Sequence, residues 1–321
     1  MSSEADSTFH AMGSEVRLLI GAPLVPGDPD PCDAAERARA YVEDFAARLS
    51  RFSAASELSA LNSDSREVVP ASPLLRAAVH AAVWAAEATD GLVDPTLIPA
   101  LERIGYGRSL DGAEPASLRE ALDAAPARRP ARPNPRSVWR AIAIDDAAGH
   151  VRRPPGVTID TGGTGKGLCA DAVAHLLARY TRYVVDCGGD LAIGGVDSQL
   201  HPWEVEALHP LSGEVICAIR VACGGIATSG LNVRVWRDDA GYRHHLLDPS
   251  TGEPAWTGLI GVTALGSCAL EAEVLAKAAL LRGAGAAREI LAEHGGLLVH
   301  DDGDVERIGP LVAPARSAVP A

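Results

Sequence analysis

The chain has 321 residues and a formal net charge of −13, with 47% hydrophobic but only 4% aromatic residues. Such a length buries an ample core, and the Ala/Val/Leu-rich composition is that of a globular protein. The acidic balance excludes a broad nucleic-acid or anionic-membrane surface, since either needs a basic patch, and an anionic ligand would need a local positive site.

The six cysteines form no C-x-x-C pair and no zinc spacing, and several sit in apolar runs as small hydrophobes. Met1 to Thr8 is polar and acidic, without a basic n-region, an apolar h-region or a cleavage site. Both features predict a cytoplasmic protein. Leu74 to Ala88 is apolar but too short to span a bilayer, so no membrane insertion is expected.

Thr8 to Ile20 reads as a strand containing Met12-Gly13-Ser14, and Asp33 to Leu49 as an amphipathic helix capped by Asp33. Arg51 to Asn62 is polar, small and irregular, and a turn follows through Glu67. Ser72-Pro73 opens a helix that runs through Ala88 and stops at Thr89-Asp90-Gly91. Leu92-Val93-Asp94-Pro95-Thr96 is then either a ligand loop or an Asp-Pro turn that starts the next helix. Residues 109–136 read as a mobile loop or linker, because Ala125 to Arg136 carries four prolines and four arginines. Val138 to Ile144 returns to strand.

Val157 to Gly195 is the most informative stretch. A short apolar strand, Val157 to Ile159, ends in Asp160, and four glycines follow between Gly162 and Gly167. Leu168 to Tyr180 then reads as a helix with Val173, Leu176, Leu177 and Tyr180 on one stripe, and Tyr183 to Asp186 as a strand before Gly188-Gly189-Asp190. A glycine turn feeding a helix N-terminus suits phosphate, and Lys166 adds a full charge there. Asp160 and Gly167 break a Walker A loop, and G-x-G-x-G replaces the dinucleotide fingerprint. A tight turn with a surface lysine is the plain alternative.

Further on, Trp203 to Leu208 and Val215 to Ala222 alternate as antiparallel strands around a turn at Leu211 to Gly213. Gly224 to Gly230, with Thr228, reads as another small-residue turn. Asn232 to Trp236 and Tyr242 to Leu247 pair as a hairpin that ends at His245. His244 and His245 point to opposite faces, so only one of them faces a site. Residues 311–321 are Pro/Ala-rich and read as a frayed tail.

The ordered series Asp160-x-Gly-Gly-x-x-Lys166-Gly-x-x-x-Asp171, Gly188-Gly189-Asp190, Thr228-Ser229-Gly230 and His245-Leu-Leu-Asp248-Pro-x-Thr-Gly252 resembles the ApbE-type FAD:protein FMN transferases. Arg51 to Asn62 and Leu92 to Thr96 match two loops of that family as well. The resemblance runs from about Thr8 to Gly283 and implies an α+β fold with antiparallel or mixed sheets and packed helices. One domain over residues 8–310 would hold FAD in a cleft between two halves. FAD would be a substrate: a Ser or Thr hydroxyl of an acceptor flavoprotein, in a segment like Asp-x-x-(Ser/Thr)-Gly-Ala-Thr, attacks the FMN phosphorus and AMP leaves. The resemblance implies flavin contacts from Met12, Phe52, Leu92, Val93, Asp94, Asp160, Gly163, Lys166, Thr228, Leu247 and Asp248. It also implies catalytic roles for His245, Lys166 and Asp171. A core methionine, a loop phenylalanine and an ordinary helix salt bridge at Asp171 are the structural alternatives. The rival function is an FAD-binding protein without transferase activity, serving flavin storage or slow FAD hydrolysis; an NAD(P)-linked dehydrogenase is disfavoured by the broken fingerprint.

Family members hold Mg²⁺ with backbone carbonyls, one from the glycine turn, plus an Asp and a Thr four residues apart on a later helix. In this chain Gly163 would supply the turn carbonyl, Glu273 stands for the Asp and Lys277 for the Thr. Glu273 can bind a hard cation, whereas a charged lysine has no lone pair to give. Dependence on Mg²⁺ is therefore expected to be weak or absent. The plain alternative is a surface Glu–Lys pair at i,i+4. The preferred reading sets the Lys277 ammonium near the metal position, held by Glu273 and facing the pyrophosphate, so that a slower transferase or a pure binder is expected.

Overall fold

The computed structural model describes residues 4–311. Its frame is an eight-stranded sheet whose spatial order follows chain order: Ala5–Ala11, Ser14–Ile20, Tyr183–Cys187, Asp190–Gly194, Gly224–Gly230, Leu259–Gly266, Gly296–His300 and Val305–Ile308. Every neighbouring pair is antiparallel. Alternation drives it: in Ser14–Ile20 the residues Val16, Leu18 and Ile20 are buried while Glu15 and Arg17 face solvent.

Helices sit in the connections. The long excursion between Ile20 and Tyr183 carries α1 (Pro31–Leu49), α2 (Glu57–Ser63), α3 (Pro73–Ala88), α4 (Ile98–Arg103), α5 (Leu118–Asp123) and α6 (Gly165–Leu176), and α7 (Ala269–Leu291) follows the sixth strand of the sheet. Helices α1, α3 and α6 share one core with the first strands, in which Val42, Phe45, Val79 and Val173 meet Val16 and Leu18. Helix α7 packs beside α6 on the central strands. Away from α7, the hairpin Trp203–Leu208 and Val215–Val221 covers the sheet, with Ile219 and Val221 against Ile193, Ile226 and Leu265. The α+β class with antiparallel sheets and packed helices is the one expected from the sequence.

Local expectations differ from the structure where side chains take over backbone hydrogen bonds. Val157 to Ile159 belongs to no sheet, because the Asn62 side chain takes the place of a neighbouring strand. Its Oδ1 accepts from Ile159 N at 2.8 Å and its Nδ2 donates to Ile159 O at 2.8 Å. Met12-Gly13 is a hairpin turn with φ of 53° and 66°, so Thr8 to Ile20 is two strands. Asp30 caps α1 in place of Asp33, and Ser56 caps α2 inside the stretch expected to be irregular. Helix α6 ends before Tyr180, whose hydroxyl donates to Pro29 O at 3.0 Å, and Leu176 is exposed. Val138–Ala141 is a 3-10 turn and only Ala143–Asp145 is strand. Residues 109–136 contain α5 and are tied down by Arg129 N to Trp256 O and Ala131 N to Leu281 O. The tail expected over 311–321 lies, beyond Leu311, outside the described residues. Among the described residues no helix is long and apolar enough to cross a membrane.

Gly224 to Gly230 is the largest departure, since the expected turn is a strand in the middle of the sheet. Its small residues serve packing: a Cβ on Gly225 would lie within the Cys268–Ala269 backbone, where α7 begins. Gly225→Ala is therefore expected to destabilise the protein by about 1–3 kcal/mol through overpacking. Gly285→Ala, in the part of α7 that follows its kink at Gly283 and where an added Cβ meets nothing within 4 Å, should instead stabilise by about 0.4–1 kcal/mol, because alanine restricts the unfolded chain. Denaturant midpoints of the two variants check both signs, and a neutral Gly225→Ala would mean that α7 does not approach this strand so closely.

Candidate functional site

The glycine turn opens onto a cleft of about 710 Å³. Asp160 sets the turn: its Oδ1 accepts from Gly162 N at 2.8 Å, and its backbone N donates to Pro95 O at 2.8 Å. Thr164 precedes α6 without a side-chain cap, so the first turn of the helix presents N–H groups beside Gly163 and Gly165, both of which line the cleft. Lys166 lines it too, with Nζ donating to Gly188 O at 3.3 Å and lying 4.0 Å from Asp190 Oδ2. Gly188 and Gly189 adopt φ of 65° and 90°, and a Cβ on Gly188 would come within 3.2 Å of Lys166 Nζ. The second glycine turn is thus the seat of the lysine.

Helices α6 and α7 cap each other. Asp171 on α6 accepts from Ala269 N and Leu270 N, each at 2.9 Å, at the start of α7. Glu273 on α7 accepts from Gly167 N at 2.9 Å through Oε2, and its Oε1 accepts from Lys277 Nζ at 2.7 Å. Lys277 also lines the cleft. Burial, and then the nearby Glu273 carboxylate, push the Asp190 carboxyl up to about 7.

One wall is aromatic. The rings of Phe52 and Tyr106, and of Tyr106 and Trp236, have centroids 5.5 Å apart, and the Arg51 guanidinium lies 4.1 Å from the Phe52 centroid and 4.6 Å from that of Tyr106. Arg51 Nε stands 3.7 Å from Asp160 Oδ2, which couples this wall to the glycine turn. Asp94 Oδ1 accepts from Thr96 N and Thr96 Oγ1, while its buried Oδ2 has no hydrogen-bond partner among the described residues. Burial raises the Asp94 carboxyl above its ordinary value. The arrangement suits a ligand with a flat ring at one end and an anionic group at the other.

Most sequence-derived candidates meet here: Met12, Phe52, Leu92, Val93, Asp94, Asp160, Gly163, Lys166, His245 and Leu247 all line the cleft. Four do not. Thr228 is exposed, is bonded to Thr263 and alternates with the buried Ala227. Asp248 folds its own loop through Arg132 N and Ser250 N. Asp171 and Glu273 are committed to the helix crossing. Sequence reading missed Arg51, Tyr106 and Arg234, all of which line the cleft. The two arginines were findable, since an acidic chain needs local cations at an anion site.

His245 faces the cleft, whereas His244 is fully buried and packs edge-on against Trp256 with ring centroids 4.6 Å apart. Desolvation, and then Arg234, His244, Lys277 and Lys166, hold the His245 imidazole well below its ordinary pKa, so it is neutral at neutral pH.

The sequence matches the family model described as the ApbE family over residues 12–299. The chain belongs to the ApbE family. It is 29% identical over 236 residues to the FAD:protein FMN transferase of Salmonella typhimurium, covering 70% of this chain and 64% of that protein. It therefore spans less than two thirds of that curated relative. The ApbE protein of Thermotoga maritima superposes with a TM-score of 0.77 at 26% identity, over 95% of this chain and 97% of that one. The flavin transferase ApbE of Vibrio cholerae has the same fold, with a TM-score of 0.71 at 20% identity over 95% and 97% of the two chains.

The Mg²⁺ that ApbE resemblance implies does not fit the donors present. Both Glu273 oxygens already accept hydrogen bonds, one of them from an ammonium, and Lys277, which stands for the Thr, has no lone pair to give while charged. Neither Glu273 oxygen is left unbonded to complete a site with the glycine-turn carbonyl of Gly163.

Burial pushes the His244 imidazole down to about 3, against 6.5 for the unperturbed group. Between those values the unfolded chain binds a proton that the folded chain does not, so stability falls as the pH drops through that window. His244→Phe should flatten the fall by up to about 1.4 kcal/mol per pH unit, leaving the similar contribution of His245 in place. Chemical denaturation at stepped pH measures it, and identical slopes for the two proteins would mean that folded His244 takes up its proton in the ordinary range.

Proposed function

We propose that this chain transfers FMN from FAD to a Ser or Thr hydroxyl of an acceptor protein, forming a phosphoester and releasing AMP. The observation that carries the reading is the convergence, within one cleft, of the Gly163–Gly165 turn that opens α6 with Lys166, a neutral His245 and an aromatic wall. The flavin would lie along Phe52 and Tyr106, beside the loop that carries Leu92, Val93 and Asp94. The diphosphate would lie against Lys166, Lys277 and the Gly163–Gly165 backbone. These groups neutralise charge on the phosphoryl oxygens as the hydroxyl oxygen bonds to phosphorus and the bond to AMP breaks.

His245 takes the hydroxyl proton in this scheme. Burial and then the neighbouring cations make it a weak base. A bound diphosphate brings negative charge beside those same cations, which restores basicity when substrate is present. The acceptor is a flavoprotein segment of the Asp-x-x-(Ser/Thr)-Gly-Ala-Thr kind. Six free cysteines support a reducing, cytoplasmic setting.

Mixing the protein with FAD and a peptide carrying that segment should add the mass of an FMN phosphoryl group to the peptide. FAD binding with no mass gain would favour the binding-only alternative. Lys166→Ala should weaken FAD by about tenfold or more while leaving riboflavin nearly unchanged, because the lysine faces phosphate. Equal losses for both ligands would make the lysine structural.

His245→Ala should lower the transfer rate by about 10²–10⁴-fold with FAD affinity nearly kept, whereas His244→Ala should act through stability. If both variants transfer alike at matched folded fraction, His245 is not the base.

A further inference from the structure

The carboxylate of Glu273 is an unusual place for an i,i+4 ion pair. Such pairs ordinarily lie on solvent-exposed helix faces, but here the Glu273 side chain is 2% exposed and that of Lys277 15%. Glu273 Oε2 accepts from the Gly167 N–H at the start of α6, and Oε1 accepts from Lys277 Nζ at 2.7 Å. Lys277 is thereby held in the lining of the cleft, joined through Glu273 to the start of α6, and both it and Lys166 act on Asp190 and His245. A divalent ion at Oε1 would have to sit against an ammonium, and displacing the ammonium would strand a charge. Of the other ionisable groups, Asp190 feels both Glu273 and Lys277, and His245 feels Lys277 together with Arg234 and Lys166.

We propose that Lys277, seated on Glu273, is the resident counter-charge of the diphosphate subsite in place of a divalent metal ion, so that this chain binds FAD without one. The inference rests on the FAD reading above and deepens it. Lys277 brings one positive charge where a divalent ion brings two, on a covalently fixed stem beside Lys166, which belongs to the glycine-turn motif itself. Because an ammonium offers donors and no lone pair, it binds phosphate oxygens directly and recruits no water or hydroxide as a metal would. The subsite is then insensitive to chelators.

Flavin fluorescence titrations of the full chain with FAD and with riboflavin, in excess EDTA and in excess MgCl₂, test this. Wild-type protein should bind FAD with the same Kd in both media to within about threefold, a difference below the tenfold that a lost charged contact produces. Lys277→Thr should weaken FAD by about tenfold or more in EDTA and leave riboflavin unchanged. Since Lys277→Thr leaves Glu273 unpaired, the double variant Glu273→Gln/Lys277→Met, which removes both charges, provides the same reading in a protein without a stranded carboxylate. FAD binding by wild type that is lost in EDTA and restored by MgCl₂ overturns the proposal. So does unchanged FAD affinity in both variants. Failure of wild type to bind FAD in either medium overturns the FAD reading itself, and this proposal with it.

Discussion

Two helix N-termini that cap each other organise this molecule. Glu273 reaches from α7 to the Gly167 N–H in the first turn of α6, and Asp171 reaches from α6 to the Ala269 and Leu270 N–H groups in the first turn of α7. Each carboxylate meets unpaired donors and the positive end of a helix dipole, so both interactions are charge-assisted. The exchange requires the helices to touch. Gly167 permits it, since a Cβ there would lie 2.7 Å from Ala269 O and from Leu270 Cα. The strand Gly224–Gly230 permits it again from below through Gly225. A glycine that looks like part of a phosphate loop is therefore also the contact point of the fold.

The same crossing sets the electrostatics of the cleft. Negative charge is spent behind the site, on helix ends and on the floor, where burial raises Asp190 to about 7. Positive charge is turned outward as Lys166 and Lys277, with Arg51 and Arg234 on the walls. A chain of net charge −13 can in this way hold an anion at one place while repelling it elsewhere, and the field is focused in a concave, low-dielectric wall. The neutral state of His245 follows from these cations together with desolvation, so the groups that bind an anion also set the protonation of the base beside it.

Much of the site was legible because several signals point to backbone shape. The glycines of 162–167, the Ser72-Pro73 start of α3 and the alternation of His244 and His245 each constrain geometry through one residue's own chemistry, and the structure agrees at each. Alternation sent His244 into the core against Trp256 and His245 to the cleft. The strands were harder to read wherever a side chain replaced a neighbouring strand, as Asn62 does for Ile159, or where small residues answered a packing demand from a distant helix, as in Gly224–Gly230. Neither Asn62 nor Gly225 carries a local mark of its partner, which lies 97 residues away in one case and 43 in the other.

Spacing identifies residues that work together without saying which way each one faces. Asp160, Asp171 and Asp248 all belong to ordered motifs, yet only Asp160 lines the cleft. Asp248 accepts from Arg132 N and Ser250 N and so shapes the chain after the hairpin that carries His245. Asp171 fixes the start of α7 and hence the position of Lys277 two turns on. Both act on the site by holding backbone, at a remove from any ligand. Glu273 and Lys277 show the converse: a pair with the spacing of an ordinary surface salt bridge becomes a site element solely because the crossing with α6 buries it. Burial separates the two cases, and burial is a property of the crossing, set by Gly167 more than a hundred residues earlier.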